Sequence, residues 1–397
     1  MKIMPTFGAD FLANVLGDWS YWHAPPCPTV PRDALRCVTD WPPDLVWVVQ
    51  GVRRCGKSTL LAQLIQHFAL DPSQCFFMNF EDPRLSQGLD HALLDQIVAF
   101  AQVQNPHATA RYFFFDEIQN IQGWERWLHR KVERPTGDRF IVTGSNAALL
   151  GGRLATALTG RHRTLELFPF NFTEYKMASG GATLEDFVGT GGFPRPLSLT
   201  DPAALLREYF IDIIERDVRR HVGARSVPML QAAALALFES TGTETSLRKL
   251  AAIMDSTADT LRTYVDAFVD SYLVLQCPYF TFSERKRLVR PIKHYPIDLG
   301  LRDALLSTPM PDRGKKLETV VFHHLRRTHG KVFFWREKGE VDFVVMQGNR
   351  PVPIQVTWGD VKDRHHAALA EFAVAFPGSA DPLIITRSNV EDFLERR

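Results

Sequence analysis

Short, continuously apolar runs alternate with longer amphipathic segments between residues 45 and 167. The runs include LVWVV, CFFMNF, YFFFDE, FIVTGS and TLELF, and segments such as STLLAQLIQHF and WERWLHRKV lie between them. A run that is apolar throughout indicates a strand buried on both faces, and helical connections indicate parallel strands. This region therefore predicts an α/β domain built on a buried, mainly parallel sheet.

The pattern outside this region predicts four further segments. Residues 1–42 are rich in proline and are predicted to form an irregular arm, because proline interrupts both helices and strands. After the sheet domain, residues 43–169, the chain predicts a helical lid over 170–227 and three helices with a hairpin over 228–295. Residues 296–397 predict a small α/β domain with the order helix, three strands, helix, strand, helix.

Composition excludes several classes of protein. Hydrophobic residues make up 45% and charged residues 23% of the 397 residues, which is typical of a globular chain. The net charge of +1 provides no basic field, so any nucleic-acid surface has to be local. The five cysteines are scattered and form no C-x-x-C pair, which favours a reducing compartment. With no signal peptide and no apolar run near ~18 residues, we expect a cytoplasmic protein that does not contact membranes.

Residues 51–58, GVRRCGKS, have the G-x-x-x-x-G-K-[ST] spacing of a phosphate-binding loop, between an apolar strand and a leucine-rich helix. Such a loop holds phosphates with backbone N–H groups and the positive end of a helix dipole. Lys57 is predicted to reach the β and γ phosphates and Ser58 to hold Mg²⁺. The residues predicted to bind ATP are Gly51, Val52, Arg53, Arg54, Cys55, Gly56, Lys57, Ser58 and Thr59.

Candidate residues for hydrolysis follow the next strands. Asp116 ends the aromatic strand RYFFFD and is predicted to support Mg²⁺, while Glu117 is predicted to orient or deprotonate the attacking water. Asn146, in VTGSNAALL, is a candidate contact for the γ phosphate, and Ser145 is its alternative. Arg161 is a candidate for stabilising transition-state charge, in its own site or a neighbour's, with Arg153 and Arg163 as rivals.

Seven motifs occur in a fixed order between residues 51 and 218: GVRRCGKSTLL, FMNFEDPRL, FFFDEIQNIQGWERW, VTGSNAALL, LTGRHRTLELFPFNFTEY, GGFPRP and LLREYFIDIIERDV. As a set they resemble bacterial and archaeal AAA-type ATPases that join a P-loop domain to a winged helix and an endonuclease-like C-terminal domain. The resemblance implies ATP and Mg²⁺ contacts at Lys57, Ser58, Asp116 and Glu117, and a sensor role for Asn146.

The segment that would form a winged helix has an unusual charge distribution. A short helix over 247–254 and a longer one from Thr257 to Asp270 are predicted, with Ser256 and Asp259 as a capping box. The longer helix is acidic, which is unfavourable for reading a DNA groove. The candidate DNA contacts are instead the basic residues of the wing, Arg285, Lys286, Arg287, Arg290 and Lys293. Such contacts predict backbone-dominated binding with weak sequence readout, and packing between domains or subunits is the alternative.

The C-terminal domain resembles PD-(D/E)xK nucleases in its spacing but lacks two of their charges. Glu318 and Asp342 occupy acidic positions, whereas Gln355 and Thr357 stand where an acid and a lysine are expected. Because Mg²⁺-dependent cleavage needs both roles, the sequence favours a degenerate nuclease site. Glu340 is a further candidate ligand, and Lys338 and Lys362 are candidate replacements for the lysine.

These observations lead to one preferred hypothesis and two alternatives. The first is an ATP-driven, oligomeric DNA-binding ATPase, a switch or a motor that uses Mg²⁺. The second is a signalling or scaffold ATPase that controls protein partners. The third is an ATP-regulated nuclease.

Overall fold

The computed structural model describes residues 7–20, 29–86, 88–146, 158, 160–223, 226–306 and 313–396. The chain forms two compact units, Met1–Leu167 and Phe168–Arg397. The segments predicted as a lid, a winged helix and a small α/β domain all lie in the second unit. Within the described ranges, no helix has the length and apolar character needed to cross a membrane.

Unit 1 contains a five-stranded sheet with the order β2-β3-β4-β1-β5, in which every neighbouring pair is parallel. Its strands are β1 (Val46–Gln50), β2 (Cys75–Asn79), β3 (Tyr112–Asp116), β4 (Arg139–Gly144) and β5 (His162–Glu166). Its helices are α1 (Ala9–Trp19), α2 (Lys57–His67), α3 (His91–Gln104) and α4 (Trp124–Glu133). The predicted α/β fold with a parallel sheet is confirmed.

Aromatic packing holds the centre of this sheet. The ring of Phe113 stacks on Phe76 of β2 at 5.5 Å and on Phe140 of β4 at 5.2 Å between centroids. All five residues of β1 are buried, which explains its continuous apolar sequence. Because parallel strands end at the same edge of a sheet, Gln50 of β1 and Asp116 of β3 lie at one edge, where the candidate site is found.

The N-terminal arm is more regular than predicted. Residues Ala9–Trp19 form α1, whose Leu12, Val15 and Leu16 belong to the core cluster of unit 1. The indole N–H of Trp19 donates to Asp82 Oδ2 at 2.7 Å. The prediction of an irregular arm is therefore wrong for this stretch, because the prolines lie outside the helix and its apolar face is buried.

Unit 2 begins with a helical region. Its helices are α5 (Phe172–Ser179), α6 (Leu184–Thr190), α7 (Pro202–Asp212), α8 (Arg219–Val222), α9 (Val227–Glu239), α10 (Leu247–Ile253) and α11 (Ala258–Asp270), with a π-helical segment over Ile213–Val218. The antiparallel pair β6 (Val274–Pro278) and β7 (Ile292–Pro296) follows, with the short helix α12 (Glu284–Arg287) between its strands and α13 (Leu299–Leu305) after it.

Two local predictions in this region are corrected. The N-cap of α11 is Thr257, whose hydroxyl accepts from the backbone N–H of Thr260 at 3.1 Å, so Ser256 and Asp259 do not form the predicted capping box. The sequence RLVRPI, residues 287–292, predicts the second strand of the hairpin, but this strand is Ile292–Pro296, because Arg287 ends α12 and residues 288–290 form turns and a bend.

The C-terminal part of unit 2 is a mixed four-stranded sheet, β11-β10-β9-β8, flanked by helices. Its elements are α14 (Arg313–His329), β8 (Phe333–Arg336), β9 (Glu340–Gln347), β10 (Arg350–Thr357), α15 (Asp363–Ala375), β11 (Leu383–Thr386) and α16 (Val390–Glu395). The chain after β6 packs on this sheet, since the backbone N–H of Phe280 donates to the carbonyl oxygen of Phe334 at 2.7 Å. The hairpin and the sheet therefore share one core.

Candidate nucleotide site and C-terminal cleft

The loop between β1 and α2 has the backbone shape that phosphate binding requires. Arg54 and Gly56 have left-handed conformations, with φ of 71° and 101°. At Gly51, an added Cβ would lie 2.0 Å from the carbonyl oxygen of Leu167. Helix α2 starts at Lys57, so the N–H groups of its first turn and its positive dipole end lie at the loop. The loop therefore forms an anion-binding backbone.

The ammonium group of Lys57 lies inside this loop. Its Nζ donates to the carbonyl oxygens of Gly51 at 3.1 Å and Val52 at 3.4 Å. It also lies 3.6 Å from Oε1 of Glu117. Only 5% of the residue is exposed. The side chain thus joins the phosphate loop to the end of β3.

Ser58, Asp116 and Thr143 form a hydrogen-bonded group at the edge of the sheet. Ser58 Oγ donates to Asp116 Oδ2 at 2.6 Å, and the hydroxyl of Thr143 donates to Asp116 Oδ1. The same threonine oxygen accepts from the backbone N–H of Glu117 at 3.0 Å. A hydroxyl and a carboxylate so close together are the oxygen donors that Mg²⁺ prefers. Ser58 and Asp116 therefore fit the metal predicted for them.

Asp116 and Glu117 are adjacent acids in different electrostatic environments. Burial, followed by the charge of Glu117, raises the pKa of Asp116 to about 6. Burial also acts to raise the pKa of Glu117, but the positive charges of Lys57 and Arg53 oppose it, and the net pKa is lowered. Glu117 thus keeps a negative charge near neutral pH, as a group that orients or deprotonates water must.

The basic residues predicted to contact DNA fall into two groups. Arg285 and Lys286 are exposed on α12. The other three are engaged within unit 2: Arg287 with Glu284 at 2.6 Å, Arg290 with Glu337 at 2.7 Å, and Lys293 with Glu340 at 2.5 Å. Arg285 and Lys286 are therefore exposed on α12, whereas the exposed Arg290 after α12 is ion-paired with Glu337.

Lys293 requires a correction. Only 1% of this residue is exposed, and its Nζ lies 3.8 Å from Glu318 Oε1 in addition to its contact with Glu340. The expectation that Lys293 contacts DNA is wrong, because its position on β7 directs the side chain into the C-terminal part of the unit. Solvent exposure could not be read from the wing sequence alone.

The predicted nuclease residues Glu318, Asp342, Gln355 and Thr357 line one cleft of about 480 Å³. Gln355 Nε2 donates to Asp342 Oδ2 at 2.5 Å, and the backbone N–H of Val356 donates to the same oxygen at 2.7 Å. Burial, followed by the charge of Glu318, raises the pKa of Asp342 to about 7. Sequence spacing therefore identified residues that the fold brings together.

Two residues that the sequence did not single out, Tyr295 and Lys315, bind Glu318. Glu318 accepts from the hydroxyl of Tyr295 at 2.7 Å and from Lys315 Nζ at 2.9 Å. Lys338 also lines the cleft, whereas Lys362 is not among its lining residues. Among the described residues, no group of three or more histidine, cysteine or acidic side chains is arranged to hold a metal ion.

Comparison with known protein families identifies the first of these regions. Residues 44–176 match the family model described as an AAA domain. This part of the chain is similar to AAA domains. Residues 181–312 and 313–396 match two models described as domains of unknown function, DUF8612 and DUF4143. The AAA-type part of the expected resemblance is confirmed, and its winged-helix and endonuclease-like parts stay predictions.

Sequence similarity to other proteins extends beyond residues 44–176. A protein of Methanocaldococcus jannaschii is 29% identical over 345 residues, covering 80% of this chain and 75% of its own length. A Haemophilus influenzae protein is 26% identical over 342 residues, covering 81% and 84%. Both are described as uncharacterized. The similarity therefore spans most of the chain without assigning an activity.

Solved structures show weaker similarity. The replication initiator DnaA bound to AMPPCP and single-stranded DNA is 13% identical with a TM-score of 0.31, covering 60% of this chain and 86% of its own. A DNA polymerase III gamma subunit-related protein of Thermotoga maritima is 12% identical with a TM-score of 0.29, covering 74% and 98%. Neither similarity supports an inference about function.

The backbone of Arg161 lies at the end of the parallel sheet away from the phosphate loop. Its carbonyl oxygen accepts from the backbone N–H of Val46, at the start of β1, whereas the phosphate loop follows Gln50. Four residues of strand separate these points by about 13 Å. Of its rivals, Arg163 forms an ion pair with Asp40 at 2.5 Å, and Arg153 lies outside the described residues.

Asn146 is placed as the sequence suggested. It follows the end of β4 by two residues, at the same edge of the AAA sheet as the phosphate loop, and is partly buried. Its neighbour Ser145 is 1% exposed. This position is compatible with a contact to the γ phosphate and stays a prediction.

Two contacts that the sequence did not indicate hold the loop in place. Arg32, in the N-terminal arm, donates from Nη1 to the carbonyl oxygen of Cys55 at 2.8 Å. Arg53 forms a 2.9 Å ion pair with Glu81, just after β2. Both arginines are buried, at 5% and 6% exposure. Neither partner could be found from spacing, since each lies more than twenty residues away in the chain.

Proposed function

We propose that the AAA domain hydrolyses ATP with Mg²⁺ and that the nucleotide state acts as a switch for the rest of the chain. The supporting observation is the pair of adjacent contacts Ser58–Asp116 and Lys57–Glu117. These contacts bring the groups needed for phosphate binding, metal binding and water activation to one edge of the sheet.

The residues have separate roles in this proposal. The loop N–H groups hold the phosphates, and Lys57 exchanges its loop carbonyl contacts for the β and γ phosphates. Bound Mg²⁺, held by Ser58 and Asp116, supplies charge neutralisation at the phosphate oxygens. Glu117, released by Lys57, orients or deprotonates the attacking water, and Asn146 contacts the γ phosphate.

Substitutions at Lys57 and Glu117 test this assignment. Lys57→Ala is expected to weaken ATP binding because it removes the phosphate contact. Glu117→Gln is expected to retain ATP binding while lowering kcat by roughly 10²–10⁴-fold, the usual contribution of a general base. ATP affinity by calorimetry and steady-state phosphate release measure the two effects.

Glu133→Gln is the matched control, since this glutamate is exposed at the end of α4. Its affinity and turnover should equal those of the unaltered protein. Normal turnover in Glu117→Gln together with normal affinity in Lys57→Ala would show that this site does not hydrolyse ATP.

We also propose DNA as the partner of unit 2, contacted through its phosphates. The support is the exposed charge of Arg285 and Lys286 on α12. The face of α11 does not favour groove readout, because Asp255, Asp259 and Asp266 are exposed near it. Binding of this kind would carry little sequence specificity.

Salt-dependent DNA affinity tests this partner. Replacing both Arg285 and Lys286 with Ala is expected to weaken binding of duplex DNA and to reduce the slope of log affinity against log salt by about two, one for each lost phosphate contact. The double variant Lys331→Ala/Arg350→Ala, also on exposed positions of unit 2, is the charge-matched control. ATPase rates with single-stranded, duplex and branched DNA would show whether binding is coupled to turnover.

A protein partner is the alternative. Phe282, Leu288 and Val289 are 65%, 85% and 82% exposed beside the basic residues of α12, which suits a protein contact as well as a charged one. No measurable DNA affinity in the unaltered protein, with ATPase activity intact, would favour this reading. It would make the chain a signalling or scaffold ATPase.

The oligomer also stays a proposal. Because the backbone of Arg161 lies about 13 Å from the phosphate end of its own sheet, we propose that it completes a site in a neighbouring subunit. Loss of turnover in Arg161→Ala restored by mixing with another inactive variant would indicate such sharing.

A further inference from the structure

The cleft between α14 and the C-terminal sheet does not fit the divalent metal that an endonuclease-like fold implies. Its neutral Gln355 replaces an acid and hydrogen-bonds Asp342, so one carboxylate oxygen of Asp342 is already occupied. The backbone N–H of Val356 binds that same oxygen. Thr357 provides no cation. The cleft therefore lacks both an acidic ligand and the expected lysine.

A lysine from another element contacts the acids that line this cleft. Lys293 belongs to β7 of the hairpin, about fifty residues before Asp342 in the chain, and its Nζ lies 2.5 Å from Glu340 Oε1 and 3.8 Å from Glu318 Oε1. Side chains alternate along a strand, and Tyr295, two residues further on β7, also reaches Glu318. The hairpin strand thus presents two groups to the acids of the cleft.

The burial of this ammonium group makes its partners essential. Lys293 is 1% exposed, and a buried charge is stable only when it is paired and hydrogen-bonded. Glu318 is 6% exposed and Asp342 is 8% exposed, so these acids also need a nearby positive charge. Lys315, 2.9 Å from Glu318, provides a second one at the mouth of the cleft.

We infer that the ammonium group of Lys293, paired with Glu340 and close to Glu318, is the cation that the acids of this cleft hold in place of a divalent metal. A metal ion entering among Glu318, Glu340 and Asp342 would meet a positive charge that is already hydrogen-bonded there, and it would find a neutral amide at Gln355. The cleft is therefore closed to metal-dependent cleavage. The ion pair of Lys293 with Glu340 instead links β7 to the C-terminal sheet.

Binding of Mn²⁺ tests this inference directly. Mn²⁺ takes the oxygen ligands that Mg²⁺ takes, and the loss of its free EPR signal counts bound ions in the full-length, nucleotide-free protein. The unaltered protein and Asp342→Asn are expected to bind the same number of ions, since any ion at Ser58 and Asp116 is common to both. Lys293→Met is expected to bind one additional ion, at least tenfold more tightly than the unaltered protein binds there. The double variant Lys293→Met/Asp342→Asn should lose it.

Lys293→Arg is the matched control, because it keeps the positive charge and should gain no ion. Circular dichroism confirms that each variant is folded. One Mn²⁺ bound by the unaltered protein and lost in Asp342→Asn would overturn the inference, even if Lys293→Met fails to fold. A folded Lys293→Met that binds no additional ion would overturn it as well. Neither result would affect the proposed ATPase, which is measured at the other unit.

Discussion

At Gly51 the phosphate loop passes so close to another part of unit 1 that no side chain fits. A Cβ there would lie 2.0 Å from the carbonyl oxygen of Leu167 and 3.2 Å from the thiol sulfur of Cys55. The backbone oxygen of Leu167 cannot move aside as a flexible side chain can. The first glycine of the loop is therefore required by tertiary packing in addition to its proposed contact with phosphate.

Gly51→Ala is expected to destabilise unit 1 by roughly 1–3 kcal/mol, as overpacking does elsewhere, and to weaken ATP binding because the loop must shift. Gly17→Ala is the matched control. Gly17 lies within α1 with no neighbouring atom within 4 Å of an added Cβ, so alanine there should stabilise the helix by about 0.5–1 kcal/mol. Urea unfolding and calorimetry measure both effects. Unchanged ATP affinity in Gly51→Ala would contradict the expectation.

Other residue assignments differ in how well the sequence supported them. Lys57 and Ser58 belong to one contiguous motif, and Asp116 ends an apolar strand that the pattern made evident, so their meeting followed from parallel topology. The role of Thr143, which bonds both Asp116 and the backbone of Glu117, had no sequence signal. Threonine is common in strands, and only the register of β3 and β4 places this one beside the acids.

At the scale of elements, the structure differs from prediction where local signals compete. Ser256 and Thr257 are both favourable N-caps, and the structure uses Thr257. The segment between β6 and β7 contains apolar residues typical of a strand, but Ser283 caps the start of α12 by accepting from the backbone N–H of Lys286. Whether this segment forms a helix or a strand therefore depended on the N-cap Ser283, which the periodicity of apolar residues does not reveal.

Helix α1 shows the opposite case, in which composition obscured a clear periodic pattern. Leu12, Val15 and Leu16 have the spacing of an amphipathic helix, but the prolines elsewhere in the arm suggested irregular structure. Burial of this face against the core of unit 1 stabilises a helix of 11 residues. Such a helix would be marginal alone, because short isolated helices are not stable in water.

At the scale of the whole molecule, unit 2 buries ionisable groups with opposite pH dependences. Burial lowers the pKa of His294 to about 4 and that of His323 to about 3. Burial raises the pKa of Asp298 to about 6 and that of Asp342 to about 7. Below pH 6.5 the histidines bind fewer protons in the folded state than in the unfolded state. They therefore lower the free energy of unfolding of the unit as the pH falls. The aspartates bind more protons in the folded state than in the unfolded state. They therefore raise the free energy of unfolding of the unit as the pH falls below their folded-state pKa.

His294→Leu isolates one of these contributions. Within the described residues neither ring nitrogen of His294 has a hydrogen-bond partner, so the unfolded state alone gains from its protonation. Between pH 6.5 and about 4 the unaltered protein should lose more unfolding free energy than the variant, by on the order of 3 kcal/mol. Urea unfolding at several pH values measures the difference. Parallel pH profiles for the unaltered protein and His294→Leu would contradict the burial argument.

The amino-acid sequence by itself determined the AAA-type fold, the phosphate loop and the two acids after β3, because these depend on contiguous motifs and on the apolar periodicity of buried strands. Tertiary structure decided which charges face solvent and which face each other. Arg161 lies just before β5, at the end of the sheet away from the phosphate loop, and Lys293 contacts an acid of the C-terminal cleft instead of extending toward DNA. Both outcomes depend on strand register and on packing between segments distant in the chain, which local spacing does not encode.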